Sequence, residues 1–360
     1  MDIGVLMKGN WHKYRASHQV TKLLSEVMEF QGNWEKENRL RPEIVTSLQS
    51  SAIITSAGSS TRIEGSILTD DEVEDLIKRG CKVTSLSSRS EREVAGYIKC
   101  IELIFGNYES DDLSEHFIRS LHQLLCKDLT ESELPINQRG VYKNIANNVV
   151  EIDEKSGQKK ILIEMTPPGL ETEQGMISLI SRFHELDNIP YVLRVGLFVV
   201  DFLKIHPFRD GNGRMARLLT NFLLLKKCPW VKFVSHEKFI EDNKEAYYVS
   251  LNRTQREFEN KPEAYDYWLQ FYFEILTKQI KFLKFKISQA TTKTQKNNID
   301  LNKNELLVVS ALREKGILSA SELIEVTKMS KDGMKKLLKR LTDSKILLRV
   351  GKGPATKYQL

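Results

Sequence analysis

Residues 206–217 read HPFRDGNGRMAR, and the rest of the chain is organised around this stretch. Residues 201–205 end an apolar run with helical spacing, and helical spacing resumes after the stretch. Pro207 and the glycines interrupt the pattern in between. The stretch is therefore predicted to form a loop between two helices, the second of which begins near Asn212 or Gly213.

The composition of this loop suits a bound polyphosphate. The start of the second helix would direct free backbone N–H groups and its positive dipole end at the loop, and both favour a phosphate. Gly211 and Gly213 would let the backbone approach an anion closely. Arg214 and Arg217 are three residues apart, so they share one face of the helix and can bind anionic oxygens.

Two more side chains in the loop suit phosphate chemistry. Asp210 offers a hard oxygen ligand for Mg²⁺, and His206 titrates near neutrality, as a general base must. Taken singly, a histidine at a helix end, a Gly-Asn-Gly turn or a pair of arginines is more often structural. Their joint occurrence in twelve residues favours a functional site.

The stretch resembles, position for position, the signature of Fic-domain proteins, which is His-Pro-Phe-x-Asp/Glu-Gly-Asn-Gly/Lys-Arg-x-x-Arg. The resemblance implies a mainly α-helical Fic fold with a β-hairpin flap. It also implies transfer of AMP from ATP to a Ser, Thr or Tyr hydroxyl of a target protein or of the protein itself. In that family His206 would deprotonate the hydroxyl, Asp210 would hold Mg²⁺, and residues 211–214 would cradle the phosphates.

The resemblance gives three further residues a role. Phe208 would be a buried anchor that orients the loop, and Arg217 would reach the γ-phosphate. Gly213 separates this chain from the Doc-type kinase branch, which carries lysine at that position. The residues expected to contact ATP phosphates are Gly211, Asn212, Gly213, Arg214 and Arg217.

The polar segment 59–66 ends the second predicted helix. On its own it indicates a helix stop followed by a loop. Its Ser60-x-x-x-Glu64-Gly65 pattern also resembles the inhibitory motif that many Fic proteins carry before the core, in which the glutamate pairs with the last arginine of the signature. The resemblance implies that Glu64 pairs with Arg217 and prevents the γ-phosphate of ATP from docking, since a guanidinium accepts either anion.

Residues 147–152 and 159–163 flank a polar turn and predict a β-hairpin. Such a hairpin could be a surface feature without a function. In Fic proteins such a hairpin precedes the catalytic loop and holds the target segment as an added strand. Tyr247 and Tyr248 resemble a tyrosine pair near the nucleoside in related proteins, and core packing explains either ring equally well.

Residues 302–360 look like a winged helix-turn-helix domain with three short helices and a two-stranded wing. Basic side chains on the third helix suit the phosphate backbone of DNA. They are Lys331, Lys335, Lys336, Lys339 and Arg340. A protein-interaction or dimerisation module with a solvated basic face fits the sequence as well. Residues 281–360 are basic on balance, and residues 1–280 are acidic.

The 360-residue chain is therefore predicted to contain four segments. They are an N-terminal helical region with the inhibitory helix at 1–110, a Fic catalytic core at 111–285, a linker or fraying helix end at 286–301 and the winged helix at 302–360. No window approaches twenty apolar residues, and residues 1–15 lack the apolar centre of a signal peptide, so we expect a cytoplasmic protein with no membrane partner. The four cysteines lack Cys-x-x-Cys spacing, so neither a zinc site nor a disulfide framework is indicated.

The leading prediction is a Mg²⁺-dependent protein adenylyltransferase that uses ATP as co-substrate and is autoinhibited by Glu64. De-adenylylation or transfer of another nucleotide moiety is the alternative within the enzyme class, because the same glutamate can position a water in some family members. A DNA-binding regulator with the Fic core as its sensor is the alternative from another class. The sequence leaves open the target protein and whether the chain forms a homo-oligomer.

Overall fold

The computed structural model describes residues 10–37, 42–82, 86–147, 149–152, 159–297, 303–344, 346–351 and 356–359. These residues are mostly helical, which confirms the predicted mainly α architecture. They divide into two units, residues 1–286 and 287–360. Within the described residues, no helix has the length and apolar character needed to cross a membrane.

The helices and strands of the first unit follow one another along the chain, and the last helix continues past its boundary. The N-terminal helices are α1 (His18–Glu37), α2 (Pro42–Ile63), α3 (Asp70–Lys78), α4 (Arg89–Asn107) and α5 (Glu115–Leu125). A pair of strands follows, β1 (Val149–Ile152) and β2 (Lys159–Ile163). The remaining helices are α6 (Leu170–Glu185), α7 (Tyr191–Ile205), α8 (Asn212–Leu225), α9 (His236–Glu241), α10 (Lys244–Glu257) and α11 (Tyr265–Asn297).

Helices α7 and α8 form the centre of the first unit. Both are buried on almost all sides, as expected for helices whose apolar residues are not confined to one face. Helix α8 packs against α2, α4, α7 and α9. Buried Asp201 on α7 accepts hydrogen bonds from Trp11 Nε1 at 2.9 Å and Tyr265 Oη at 2.8 Å, and it pairs with Arg182 at 3.2 Å. This carboxylate links α7 to α6, to α11 and to the N-terminal segment.

The end of α2 is held firmly against α9. Arg62 donates to both carboxylate oxygens of Glu241, at 2.6 and 3.1 Å, and to the Leu68 carbonyl at 2.8 Å. It also lies 2.9 Å from Asp70 at the start of α3. Gly65 has φ +103°, a left-handed conformation that closes the helix as predicted. The segment that contains Glu64 is thus fixed in place from both sides.

The predicted β-hairpin is present. Strands β1 and β2 are antiparallel, with Val150 opposite Ile161 and Ile152 opposite Lys159. Its polar turn, residues 153–158, lies outside the described residues. The hairpin immediately precedes α6 and α7 in the chain, so it comes before the catalytic loop.

Helix α11 continues well past residue 285, where the core helix was expected to end, as far as Asn297. Residues 286–297 contain no proline or glycine, and their polar side chains do not interrupt a helix. The first part of the predicted linker is therefore helical. Residues 298–301 lie outside the described ranges.

The second unit contains α12 (Lys303–Lys315), β3 (Leu318–Ser319), α13 (Ala320–Thr327), α14 (Lys331–Asp343), β4 (Leu348–Val350) and β5 (Lys357–Gln359). Ser319 and Ser330 cap α13 and α14, and the strands pair in the order β3-β5-β4. The apolar faces of the helices enclose a small core around Leu323 and Leu338. The three helices and the strand pair β4–β5 were predicted, whereas β3 was not. The winged helix-turn-helix assignment stays a prediction.

Candidate active site

The loop between α7 and α8 has left-handed backbone at both of its ends. His206 caps α7 with φ +53°, and Gly211 precedes α8 with φ +80°. Helix α8 begins at Asn212, as the sequence predicted. The free N–H groups of its first turn therefore face the loop.

Asn212 holds the loop in shape. Its Oδ1 accepts a hydrogen bond from Phe208 N at 2.9 Å, and its Nδ2 donates to Phe208 O at 2.6 Å. Asn212 belongs to the segment expected to cradle the phosphates of ATP, and both polar atoms of its side chain bind the loop backbone. A phosphate contact of Asn212 would therefore come from its backbone N–H, at the helix start.

His122 on α5 packs against the loop, although its spacing from other residues in the sequence did not mark it. Its ring stacks on Phe208 with 3.7 Å between centroids. Nδ1 accepts a hydrogen bond from Gly140 N at 2.8 Å, so the neutral ring carries its proton on Nε2, which donates to Asp210 O at 3.0 Å. Burial lowers the pKa of His122 to about 4, which keeps the ring neutral at physiological pH.

Lys143 and Asn147 are two further residues that the sequence did not reveal. Lys143 Nζ donates to the Ile205 carbonyl at 3.0 Å and to Asn147 Oδ1 at 2.8 Å. Asn147 Nδ2 in turn donates to the carbonyls of Phe208, at 2.7 Å, and His206, at 3.3 Å. Burial lowers the pKa of Lys143 to about 8. The pair fixes the backbone on either side of the catalytic histidine candidate.

His206 is arranged as a base. Its Nδ1 lies 3.1 Å from the Leu203 carbonyl, and because a carbonyl can only accept, Nδ1 carries the proton and Nε2 keeps its lone pair. Burial lowers the pKa of His206 to about 4, against 6.5 for the unperturbed side chain. The ring is therefore neutral at physiological pH, with Nε2 free to accept a proton, although its pKa lies below the near-neutral value expected from the sequence.

Asp210 is surrounded by donors. Its Oδ2 lies 2.6 Å from Arg89 Nη2, and its Oδ1 accepts from Gly211 N at 2.6 Å and lies 3.3 Å from Arg214 Nη2. Burial acts to raise the pKa of Asp210, but the charges of Arg214 and Arg89 outweigh it and hold the pKa below its usual value. The carboxylate is therefore ionised, as a metal ligand must be.

The two arginines of α8 are buried, each with a relative exposure of 2%. Arg214 Nη1 lies 3.3 Å from Glu93 Oε1. Among the described residues, no hydrogen-bond acceptor serves Arg214 Nε or Arg217 Nη1, and the contact of Arg214 Nη1 with Glu93 is an ion pair without hydrogen-bond geometry. Buried charged donors without acceptors are costly, and a phosphate would satisfy them. These donors fit the anion that the sequence predicted.

Arg217 makes the contact with Glu64 that the family resemblance implied. Its Nη2 lies 2.7 Å from Glu64 Oε1 and 2.9 Å from the Ser60 carbonyl, while its Nε donates to Ser60 Oγ at 2.8 Å. Gly213 makes room for this carboxylate, because a Cβ at that position would lie only 2.2 Å from Glu64 Oε1. The predicted inhibitory residues Ser60 and Glu64 therefore meet the catalytic loop directly.

A cavity of about 540 Å³ is lined by residues of the loop, by the start of α8 and by Glu64, whereas Arg217 does not line it. Its polar wall includes Glu64, Arg89, Glu93, His206, Asp210 and Arg214, and its apolar wall includes Met165, Leu203, Tyr247, Tyr248 and Leu251. Tyr247 is 3% exposed and packs edge-on against Trp268, whereas Tyr248 is 44% exposed. Tyr247 is thus part of the core as well as of the cavity wall, and Tyr248 offers the more accessible ring.

Asp210 is the protein ligand that the cavity offers a cation. In the part of the chain that the structure describes, no three His, Cys, Asp or Glu side chains converge as a metal site. A Mg²⁺ ion at Asp210 would take its other ligands from phosphate oxygens and water, which is the usual arrangement for this ion. The residues present fit such an ion only together with a phosphate substrate.

Comparison with known proteins relates the sequence of the central region to one family. A sequence model of the Fic/DOC family matches residues 112–224. A Fido domain-containing protein of Dictyostelium discoideum is 36% identical over 89 residues, which are 24% of this chain. The match spans 53% of that relative, about half of its length.

Solved structures share the fold. The crystal structure of a Fic family protein from Desulfovibrio desulfuricans G20 matches with a TM-score of 0.64 and 20% identity, covering 96% of this chain and 97% of its own. That of a Fic domain containing signaling protein from Bacteroides thetaiotaomicron matches with a TM-score of 0.56 and 21% identity, covering 75% of this chain and 97% of its own. Residues 112–224 thus match the Fic/DOC family in sequence, and the described residues have a fold similar to that of solved Fic proteins.

Proposed function

We propose that the protein is an adenylyltransferase that moves AMP from ATP to a hydroxyl group of a protein. One observation carries the proposal. The cavity combines a neutral His206 with the start of α8 and with Arg214, a buried arginine whose Nε lacks a hydrogen-bond acceptor. A base beside a site for phosphate groups is the minimum that phosphoryl or nucleotidyl transfer needs.

The two walls of the cavity suit the two ends of ATP. The phosphates would lie at the start of α8 and on Arg214, where N–H groups and guanidinium donors are free. The nucleoside would lie against the apolar wall, with the accessible ring of Tyr248 beside it. Asp210 would hold Mg²⁺, which supplies charge neutralisation at the phosphates when bound.

The chemistry assigned to this chain is proton transfer and orientation. His206 Nε2 takes the proton of the target hydroxyl as the hydroxyl oxygen forms a bond to the α-phosphorus of ATP. The bond from the α-phosphorus to the bridging oxygen of the β-phosphate breaks, and pyrophosphate leaves with that electron pair. The hydrogen bond from Nδ1 to Leu203 keeps the ring in the tautomer that this step requires.

The β1–β2 hairpin supports a protein as the acceptor. The two strands form a sheet of their own, so each has one edge without a strand neighbour in the described residues. An extended target segment could add to such an edge through backbone hydrogen bonds, whatever its side chains. This would align a hydroxyl with the catalytic loop, which follows the hairpin in the chain.

The ion pair between Glu64 and Arg217 supports autoinhibition. A carboxylate already occupies the guanidinium that would receive the γ-phosphate. ATP would then bind with its γ-phosphate displaced and its α-phosphorus out of line with the hydroxyl. Transfer by the wild-type protein would therefore be slow.

The test measures which labelled phosphate of ATP is transferred to protein. The variant Glu64→Gly is incubated with Mg²⁺ and with ATP labelled at the α-phosphate or at the γ-phosphate. We expect the α-label, and not the γ-label, on the protein itself or on proteins of a lysate, and neither label with the added change His206→Ala. Transfer of the γ-label would instead identify a kinase, and no transfer of either label would contradict the proposal.

De-adenylylation is the second candidate, because Glu64 lines the same cavity as His206. A carboxylate at that position could orient a water molecule towards an adenylylated side chain. The adenylylated products of the previous experiment provide the substrate. Loss of AMP from them on addition of wild-type protein, and not of Glu64→Gly, would favour this candidate.

For the second unit, we propose contact with the phosphate backbone of duplex DNA through α14. Lys331, Lys335, Lys336 and Lys339 on this helix are exposed. Arg340 belonged to the same predicted set, but its Nη2 lies 2.9 Å from Glu305, which places it in an intramolecular ion pair. The four lysines remain the groups that would release counterions from DNA.

A further inference from the structure

Arg89 lies on the carboxylate that the proposed function assigns to the metal ion. Arg89 Nη2 is 2.6 Å from Asp210 Oδ2, and both residues line the cavity. The other carboxylate oxygen, Oδ1, is engaged by Gly211 N and by Arg214. A cation that approaches Asp210 therefore meets a guanidinium whose positive charge repels it.

Of the two arginines near Asp210, Arg89 is the one that can release the carboxylate. Its side chain is 48% exposed, whereas that of Arg214 is 2% exposed and enclosed by the core. Arg89 Nε also donates to Glu93 Oε1 at 2.9 Å, one turn further along the same helix. Glu93 would keep hold of the guanidinium after Arg89 released Asp210.

We propose that Arg89 is an exchangeable counter-ion of Asp210. It neutralises the carboxylate while no divalent cation is bound, and it swings towards Glu93 when Mg²⁺ arrives with ATP. The inference rests on the proposed function, because that function puts Mg²⁺ at Asp210. It assigns to Arg89 a positioning role that the loop sequence did not indicate.

The exchange has two measurable consequences. Without Mg²⁺ and without Arg89, the carboxylate of Asp210 would keep only Arg214 as a counter-charge and would repel the phosphates of ATP more strongly, so ATP binding should weaken. Without Arg89, Mg²⁺ would also meet one competing cation fewer, so less Mg²⁺ should be needed. Each effect should be roughly two- to five-fold, as expected for an exposed ion pair. At saturating Mg²⁺ the affinity for ATP should be the same with and without Arg89.

The experiment measures ATP binding to the full chain by calorimetry, first in EDTA and then at increasing Mg²⁺. It compares wild type with Arg89→Gln, which removes the charge and keeps most of the side-chain length. Arg92→Gln is the matched control. Arg92 lies on the same helix but pairs with Glu133 at 2.7 Å and does not line the cavity.

The expected result for Arg89→Gln is weaker ATP binding in EDTA, a lower Mg²⁺ midpoint and an unchanged plateau, none of which Arg92→Gln reproduces. An unchanged midpoint in Arg89→Gln, or an equal shift in Arg92→Gln, would overturn the inference. The variant Asp210→Asn distinguishes failure of the role of Arg89 from failure of the metal assignment at Asp210. If it abolishes the Mg²⁺ effect while Arg89→Gln leaves the midpoint unchanged, only the role of Arg89 fails. If it leaves the Mg²⁺ effect intact, the metal assignment in the proposed function fails, and the role of Arg89 with it.

Discussion

His206 adopts a left-handed backbone conformation, at φ +53°, that residues with a side chain rarely take. Such a conformation costs roughly 1–2 kcal/mol relative to the right-handed helical one. Hydrogen bonds on both sides offset this cost, because Asn147 binds the carbonyls of His206 and Phe208 and Lys143 binds that of Ile205. The backbone is thus strained where the chemistry is proposed, and the surrounding contacts define the orientation of the ring.

Replacing His206 tests its role as the base. We expect His206→Ala to abolish transfer while ATP affinity stays within about two-fold of wild type, because the loss of a base raises the barrier without removing phosphate contacts. ATP binding by calorimetry and label transfer in the Glu64→Gly background provide the two measurements. Transfer at a rate comparable to that of the parent would remove His206 from the mechanism.

Whether a residue of the site could be predicted depends on how far apart in the sequence its contacts lie. The loop residues were predictable, because glycines, a helix start and paired arginines act locally within residues 206–217. Arg89, His122, Lys143 and Asn147 were not, because each meets the loop through contacts between positions 59 to 121 residues apart. The position of Asn212 at the start of α8 was predicted. Its side-chain hydrogen bonds were not, because they depend on the backbone conformation of Phe208.

At the scale of elements, the end of α2 is the part that meets the catalytic loop. Its helix stop could be predicted from Gly65, whose positive φ ends the helix. Its docking could not, because Arg62 reaches Glu241, which is 179 residues away. The contact between Glu64 and Arg217 was expected only through a family resemblance, since local sequence patterns do not encode such distant pairs.

The anchor at Arg62 gives a prediction for this element. We expect Arg62→Ala to raise transfer above the wild-type rate, because the end of α2 loses its hold on α9 and Glu64 occupies Arg217 for less of the time. Stability should fall by about 1.5–3 kcal/mol, as hydrogen bonds to charged groups are lost. Label transfer and urea unfolding measure the two effects. Unchanged transfer in a destabilised variant would show that Glu64 is held by Arg217 alone.

Helix α14 gives the second prediction at this scale. If it contacts the phosphates of DNA, the logarithm of the association constant should fall linearly with the logarithm of the salt concentration. Replacing Lys335 and Lys336 together should make the slope shallower by about two units, at roughly 0.9 per phosphate contact. Binding to random duplex, measured by fluorescence anisotropy at several salt concentrations, gives the slope. Absence of duplex binding at low salt would favour the protein-interaction alternative.

At the scale of the whole molecule, two neutral histidines link stability to pH. The pKa values of His122 and His206 are lowered to about 4 in the folded protein, against 6.5 for the unperturbed side chain. Between these values the unfolded chain binds more protons than the native protein. The stability that neutral histidines contribute is therefore fully present above pH 6.5 and is lost as the pH falls through about 4.

Urea unfolding from pH 7 to pH 4 checks this dependence. We expect His122→Gln to unfold more easily at every pH but to lose less stability on acidification than wild type. The difference in slope should be up to about 1.4 kcal/mol per pH unit, which corresponds to one proton. Parallel curves for the two proteins would show that His122 is not held neutral in the folded state.

The overall architecture could be predicted where the burial pattern is strong. Helices α7 and α8 each carry a long apolar run and are almost fully buried, and both were expected from sequence. The extension of α11 to Asn297 was left open between a linker and a fraying helix end, because polar residues without proline or glycine are compatible with both. Strand β3 is two residues long, which is too short to give a periodic signal.

The central claim is that Glu64 restrains transfer by occupying Arg217. Its most direct test is the initial rate of AMP transfer to one target at saturating ATP and Mg²⁺. We expect Glu64→Gly, and to a similar degree the shape-preserving Glu64→Gln, to be roughly 5- to 150-fold faster than wild type, which is the range of a typical coupling between two exclusive states. The double variant Glu64→Gly with Arg217→Ala should lose this gain, because the released arginine is absent. Equal rates for wild type and Glu64→Gly would contradict the account.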